Sequence, residues 1–487
     1  MENEWVNRIK SNWLYILIGL LFVIYLIARA IILPVTIDES GTIFNAAARS
    51  FWGIVSYEDP VPNNHIINTL LIKLLINIFG LHSFIVRLPN ILGFILYYSI
   101  IVIWMKRITN NKIFILFGII VLTCNHFLID FFSLARGYAL SISFMFTALY
   151  FMYCYFLENK NRYLNISFLF AAFGMYTNFT LLNFYVCFLF LTIIILIQQN
   201  WNNTLKKFIG NFAYIFLITL TLTLISWEPI RKMVATDQLK YWNSNGLFQD
   251  TLVPLANSMQ YGQPYFGFTS EFYASIFIIF TIIIGIFAIL KLIRNRFHFV
   301  SSFFVFSFLV LAGVIIIIIL QFHLLHTPFL NARGAIFLYV LFGISFILFI
   351  HEFFQRNYRL KHLFIFPFII LGLYHFGRTV NFYSCREWYF DANTKKVLNY
   401  LEKEYNKTNE PITLNTSWLF NPSFQFHIQA RKIEYIHLAP FHFGTWPDSN
   451  YIYYYAQRSD VVELDTAYTE VTSYNYGNFV MLKQKIK

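Results

Sequence analysis

The sequence predicts a polytopic α-helical membrane protein of about eleven transmembrane helices, followed by a small mixed α/β domain outside the membrane. Three observations carry this reading. Of 487 residues, 58% are hydrophobic and 12% charged, where soluble domains run at about 25% charged. Apolar runs close to the ~20 residues needed to cross a bilayer recur through the first 378 residues. Beyond Arg378 those runs stop, and the chain becomes polar and rich in Tyr. Disorder is excluded by the abundance of Phe, Ile and Tyr.

The runs lie near 13–34, 84–105, 113–131, 138–157, 164–179, 181–198, 209–228, 272–291, 299–320, 335–353 and 362–378. The first exceeds a signal-peptide core and no small-residue cleavage site follows it, so it is expected to remain as an anchor. Basic residues flank alternate turns: Lys106, Arg107 and Lys112; Lys160 and Arg162; Lys206 and Lys207; Lys291, Arg294 and Arg296; Arg356, Arg359 and Lys361. All fall on one side if the N-terminus is cytoplasmic, which predicts a multi-pass inner or plasma membrane protein with an extracytoplasmic C-terminus. The net charge of +12 is therefore a topological signal, and nucleic acid is not needed to explain it. Four cysteines, three of them (Cys124, Cys154 and Cys187) in apolar runs, form neither a disulfide scaffold nor a CxxC metal pattern.

The spans predict a transmembrane domain over 1–378, with long outer loops at 35–83 and 229–271, and an outer α/β domain over 379–487. Within the latter, Val397, Leu398 and Leu401 share one face of a helix expected over Asp391–Tyr405. Strands are expected at Ile412–Trp418, Phe424–Gln429, Ile433–Leu438, Tyr451–Ala456, Val461–Thr466 and Phe479–Leu482. Trp418, Trp446 and Tyr451–Tyr455 could stack on sugar faces or simply fill the core of this domain.

Candidate chemistry gathers on the outer side. Asp38 and Glu39 follow directly on Pro34, which ends the first span, and paired acids at a membrane surface are costly unless solvated, paired or used. Asp38 could cap the helix expected after it or serve as a base. Asn64 and His65 precede an amphipathic stretch, Ile66–Phe79, that suits the interface; His65 could be a ligand, a substrate contact or an ordinary interfacial residue. Arg136 and Arg333, each beside a glycine, could snorkel to headgroups or converge on one phosphate, for which guanidinium is well matched. Residue types alone suit a reaction on a lipid-linked phosphate and an outer-gated transporter about equally.

Several pieces occur in an order that carries a resemblance. They are Asp38-Glu39-Ser40, Pro62-Asn63-Asn64-His65-Ile66-Ile67-Asn68-Thr69-Leu70-Leu71, Phe79-Gly80 and Val86-Arg87-Leu88-Pro89, then Ala135-Arg136-Gly137-Tyr138-Ala139-Leu140 and Gly174-Met175-Tyr176-Thr177-Asn178-Phe179-Thr180. In the tail, Thr416-Ser417-Trp418-Leu419-Phe420-Asn421-Pro422 adds to them. With these the chain resembles the polytopic glycosyltransferases of the GT-C class, in the bacterial branch of the protein O-mannosyltransferase and aminoarabinose transferase superfamily. Between about 200 and 320 it matches only in its pattern of spans.

The resemblance implies a GT-C-like fold and transfer of a monosaccharide from a polyprenyl-phosphate carrier to a protein, lipid or glycan acceptor at the outer face. It implies Asp38 as general base, Glu39 as its support or a substrate contact, and Asn64, His65, Arg136 and Arg333 near the donor phosphate. Direct attack would invert the sugar. A divalent cation beside the two carboxylates is allowed but not required. The chain departs from the pattern in two places. Asn64-His65-Ile66 stands where many relatives have His-Pro-Pro or Lys-Pro-Pro. No acid follows Arg136 closely, the nearest being Asp130 upstream. A non-catalytic GT-C-like subunit of an envelope assembly is the alternative. A transporter or flippase is disfavoured, because the charged residues sit at a rim and not at the midplane.

Overall fold

In a medium without water a spanning chain must close its own backbone hydrogen bonds, and each apolar run does so as a helix. The computed structural model describes residues 2–200, 205–238, 245–298, 302–355, 357–443, 451–463, 467–474, 476–477 and 479–485. The helices α1 (Glu2–Ile32), α2 (Ile37–Gly41), α3 (Phe51–Val55), α4 (Ile66–Phe79) and α5 (Ser83–Ile108) come first. They are followed by α6 (Lys112–Thr123), α7 (His126–Phe132), α8 (Gly137–Glu158), α9 (Asn161–Thr177), α10 (Leu182–Asn200), α11 (Leu205–Ala235) and α12 (Val253–Gln260). Helices α13 (Ser270–Arg294), α14 (Phe303–Leu325), α15 (Ile336–Phe353) and α16 (Tyr358–Thr379) complete the bundle.

Among the described residues nine helices are long and apolar enough to cross a membrane, or ten if the bent pair α6 and α7 is one span. The sequence predicted about eleven. One difference is the run 113–131, which breaks by 69° between α6 and α7, where the Asn125 side chain accepts from the Leu128 amide and starts a new helix. The other is the run 164–179, which forms α9. Its 17 residues are at the short end of the ~17–25 that span a bilayer, yet it leads from the basic turn at Lys160 to Tyr176, which packs with Tyr57 and Ile66 on the other side. Helix α4, at 14 residues, is shorter still, as its interrupted apolar pattern predicted.

Close packing orders the ends of these helices. A side chain on Gly19 would lie 2.5 Å from the Tyr98 ring, and the Tyr98 hydroxyl donates to the Tyr15 carbonyl at 2.6 Å, so α1 and α5 meet at that glycine. On one face of the bundle, buried Arg29 pairs with Asp130 and donates to the carbonyls of Asn381 at 2.6 Å and Ser384 at 3.1 Å. Asp130 also accepts from the Tyr261 hydroxyl at 2.9 Å. That network joins α1, α7 and the segment after α16, and it makes Asp130 a paired residue. At the opposite face the basic turns are tied by Arg107 to Glu158 and Lys291 to Glu352.

After α16 the chain forms α17 (Thr394–Thr408), β1 (Ile412–Thr416), α18 (Asn421–Ala430), β2 (Ile436–Leu438), β3 (Tyr453–Gln457), β4 (Tyr468–Tyr474) and β5 (Phe479–Gln484). The sheet order is β2-β1-β3-β5-β4, with β1 parallel to β2 and β3 and β5 antiparallel to β3 and β4. Val397, Leu398 and Leu401 pack under it with Leu414, Phe424, Tyr455 and Met481. The expected strand Phe424–Gln429 is instead the helix α18. A short apolar run does not distinguish the two periods, and Pro422 in the first turn favours a helix start. Part of Val461–Thr466 is a 3-10 turn, Arg458–Glu463, and residues 464–466 lie outside the described residues. Tyr453, Tyr454 and Tyr455 are core residues; Trp418 is exposed beside Phe443, and Trp446 lies outside the described residues.

Candidate functional site

The turn after α1 decides how the two adjacent acids are used. Thr36 caps α2: its hydroxyl accepts from the Glu39 amide while the Glu39 carboxylate accepts from the Thr36 amide at 2.8 Å, a complete capping box. The cap considered for Asp38 therefore belongs to Thr36. Glu39 is fully buried and bound on both oxygens by Arg87, Nε to Oε1 at 2.8 Å and Nη2 to Oε2 at 2.7 Å. The Ala135 amide adds a third donor at 2.6 Å. Arg87 also donates to the carbonyls of Ala30, Leu33 and Pro34. Every oxygen of Glu39 is thus taken up inside the protein.

Asp38, one residue earlier, faces the other way. Its Oδ2 lies 3.3 Å from Arg333 Nη1 and 3.6 Å from Arg136 Nη2, and its side chain is 23% exposed. The two arginines read from the sequence as partners for one anion therefore meet on a carboxylate. Arg136 is buried and fixed by further bonds, from Nη1 to Thr42 Oγ1 at 2.9 Å and to the carbonyls of Asp38 and Asn63 at 3.3 Å. Arg333 is looser, one-third exposed, and lies over the Trp388 ring with its guanidinium carbon 4.9 Å from the centroid.

The histidine lies behind these groups. His65 is buried with its ring edge-on to Tyr138 at 4.8 Å, and among the described residues its Nε2 has no hydrogen-bond partner. Burial, then Arg136 and Arg333, push its pKa well below the ordinary 6.5, so the ring is neutral. Gly137 makes this approach possible, because a Cβ there would stand 2.5 Å from His65 Cβ. Asn64 is taken up within its own loop: its Nδ2 donates to the Ile54 carbonyl at 2.9 Å and its carbonyl accepts from the Tyr57 hydroxyl.

Glu387 was not foreseen. It stands in the short polar stretch after α16, with Oε2 3.9 Å from Arg333 Nη1 and Oε1 3.5 Å from Ser258 Oγ. Burial raises its pKa, Arg333 and Arg386 pull it down, and Asp38 raises it again. The signal available in the sequence was positional: an acid nine residues beyond the basic span end Arg378, beside a Trp, on the side where the other charges gather. A second acid does stand near Asp38, but it comes from the far end of the bundle and not from the loop after Arg136. Among the described residues no three His, Cys, Asp or Glu side chains group as metal ligands; Asp38 and Glu39 engage different arginines.

Beside this polar cluster lies an apolar cavity of about 530 Å³ between α6, α12, α13, α15 and α16. Helix α12 divides the two. Leu255, Ala256 and Met259 line the cavity, whereas Asn257 and Ser258 bond to Arg386 and Glu387. Chemically, the arrangement offers a partly open carboxylate able to take a proton, guanidinium donors suited to a phosphate, and an adjoining apolar space.

The model of the dolichyl-phosphate-mannose-protein mannosyltransferase family matches residues 65–227. Among solved structures, ArnT from Cupriavidus metallidurans in the apo state matches over 99% of this chain and 98% of that one, with 11% identity and a TM-score of 0.54. The same protein bound to undecaprenyl phosphate matches over 97% and 98%, with 12% identity and a TM-score of 0.44. No curated protein sequence matches the chain.

Proposed function

For a chain with the fold of a polytopic GT-C glycosyltransferase, we propose an inverting transferase that moves a monosaccharide from a polyprenyl-phosphate carrier to a hydroxyl acceptor at the outer face of the membrane. The observation that carries this reading is the shared position of Asp38 Oδ2 between Arg136 and Arg333, with the carboxylate still reachable from outside. The family model supports the donor class, because dolichyl-phosphate mannose is a polyprenyl-phosphate sugar. Alternation of the basic turns supports a cytoplasmic N-terminus, with residues 1–378 as the membrane unit and 379–487 outside.

In this reading the acceptor hydroxyl gives its proton to Asp38 as its oxygen attacks the anomeric carbon. The bond from that carbon to the phosphate oxygen breaks, and the polyprenyl phosphate leaves with the electron pair. Arriving phosphate replaces Asp38 as the partner of the looser Arg333, while Arg136, tied to Thr42 and Asn63, keeps Asp38 in place. Charge on the leaving group is then met by a preplaced guanidinium. The cavity behind α12 takes part of the apolar carrier. Glu39, held by Arg87, supports the loop without touching substrate.

Asp38→Asn preserves shape and removes the base. Transfer from a polyprenyl-phosphate sugar in membranes should fall by roughly 10²–10⁴-fold. Transfer at the wild-type rate would remove Asp38 as the base.

A further inference from the structure

The backbone between the end of α1 and Asp38 is held by the C-terminal unit as well as by the bundle. His427 Nε2 accepts from the Val35 amide at 3.0 Å, and the Ser423 hydroxyl donates to the Val35 carbonyl at 2.6 Å. Two residues later, Asp391 Oδ2 accepts from the Ile37 amide at 2.9 Å. The intervening Thr36 amide goes to Glu39. His427, Ser423 and Asp391 are buried, as is Val35, and Phe426 packs into the same cluster as Val35, Ile43 and Ala47. Lys395 adds a fourth tie, donating to the carbonyls of Ile31 and Ile32 at the end of α1.

These bonds lie apart from the core of the C-terminal unit, which is the separate cluster around Leu398 and Tyr455. They are aimed out of that unit at the backbone of Val35 and Ile37. Arg87 holds the Leu33 and Pro34 carbonyls from the bundle side, and the buried polar groups of Val35 and Ile37 find their partners in the C-terminal unit. The direction of the Asp38 carboxylate follows from the Val35–Ile37 backbone, because Asp38 sits in the first turn of the helix those residues start.

We infer that Asp391, Ser423 and His427 are positioning residues for Asp38, acting through the peptide groups of Val35 and Ile37, so that the C-terminal unit sets the geometry of the membrane site. The inference rests on the reading of Asp38 as the base. To accept from an amide, His427 must be neutral with its proton on Nδ1. Burial, with Lys395, Arg431 and Arg87 facing it, keeps it so.

The test uses the full-length protein in lipid nanodiscs with a polyprenyl-phosphate sugar donor, and reads both kinetics and amide hydrogen exchange over residues 33–41. His427→Ala and Asp391→Ala should speed exchange in that segment and lower kcat by about 10–100-fold, the cost of a catalytic group displaced by about 1 Å. Donor KM should stay within about twofold of wild type, because ground-state binding is untouched. His427→Gln, whose amide oxygen can replace Nε2 as acceptor, should restore slow exchange and most of kcat. A merely structural role would lower the folded yield and give Gln no advantage over Ala. Unchanged exchange in every variant, or faster exchange with full kcat, would overturn the positioning role while leaving the transferase reading intact. A wild-type protein that transfers no sugar overturns both.

Discussion

Arg87 grips Glu39 through two parallel bonds of 2.8 and 2.7 Å in a fully buried pair, and this leaves the neighbouring Asp38 to face the open side. Removing one partner of such a pair strands a buried charge, which costs about 3–5 kcal/mol. Glu39→Ala and Arg87→Ala should therefore both lower the unfolding midpoint of the detergent-solubilised protein steeply. Asp38→Asn, at a partly exposed position, should barely move it. Equal destabilisation by all three would contradict the division of labour between the two acids.

Arg333 differs from Arg136 in having few bonds to lose. Arg333→Ala should weaken binding of a polyprenyl phosphate by roughly 10–100-fold, the loss of a charge-assisted bond worth ~1.5–3 kcal/mol. Native mass spectrometry of the lipid-bound fraction measures this directly. An unaltered bound fraction would place the phosphate elsewhere.

Gly137 is a packing residue for the site. A methyl group there meets His65 at 2.5 Å, and overpacking a tight contact costs about 1–3 kcal/mol. Gly137→Ala should reduce thermal stability, and measured against the His65→Gly background, which lacks the contacting Cβ, the same substitution should cost less. Additive destabilisation in the double variant would show that the two do not share this contact.

Glu387 supplies a pH-dependent term. Its folded pKa is raised, first by burial, so its contribution is fully present below the unfolded Glu value of about 4.3 and is lost as pH rises through the folded value. Glu387→Gln mimics the protonated acid at every pH. The melting temperature of the variant should match wild type in acid and exceed it increasingly towards neutral pH, by a modest amount because the side chain is 21% exposed. A constant difference across that range would show that Glu387 titrates normally.

Much of the bundle was legible because spanning helices are local objects: length, apolarity and flanking charge lie within one run. The failures were local conflicts. The run 113–131 is apolar throughout, yet Asn125 restarts a helix within it. Residues 424–429 carry Phe424 and Phe426 at strand spacing, but Phe424 enters the C-terminal core and Phe426 the cluster around Val35, as a helix between two packed surfaces requires. Of the charged cluster, Asp38, Arg136 and Arg333 were singled out from residue type and rim position, and the structure brings the three together. Glu387 was missed because its place beside Arg333 depends on how the bundle closes.

By itself, the sequence determined that this chain lives in a membrane, roughly where it crosses, and that acids and arginines collect at one rim, since each of those properties is carried by neighbouring residues. Tertiary structure decided which of two adjacent acids stays open. Arg87 reaches Glu39 across 48 residues and Arg136 reaches Asp38 across 98, and no periodicity within either segment encodes those meetings. A buried charge is stable only beside its counter-charge, so packing assigned Glu39 to the scaffold and left Asp38 at the surface of the site.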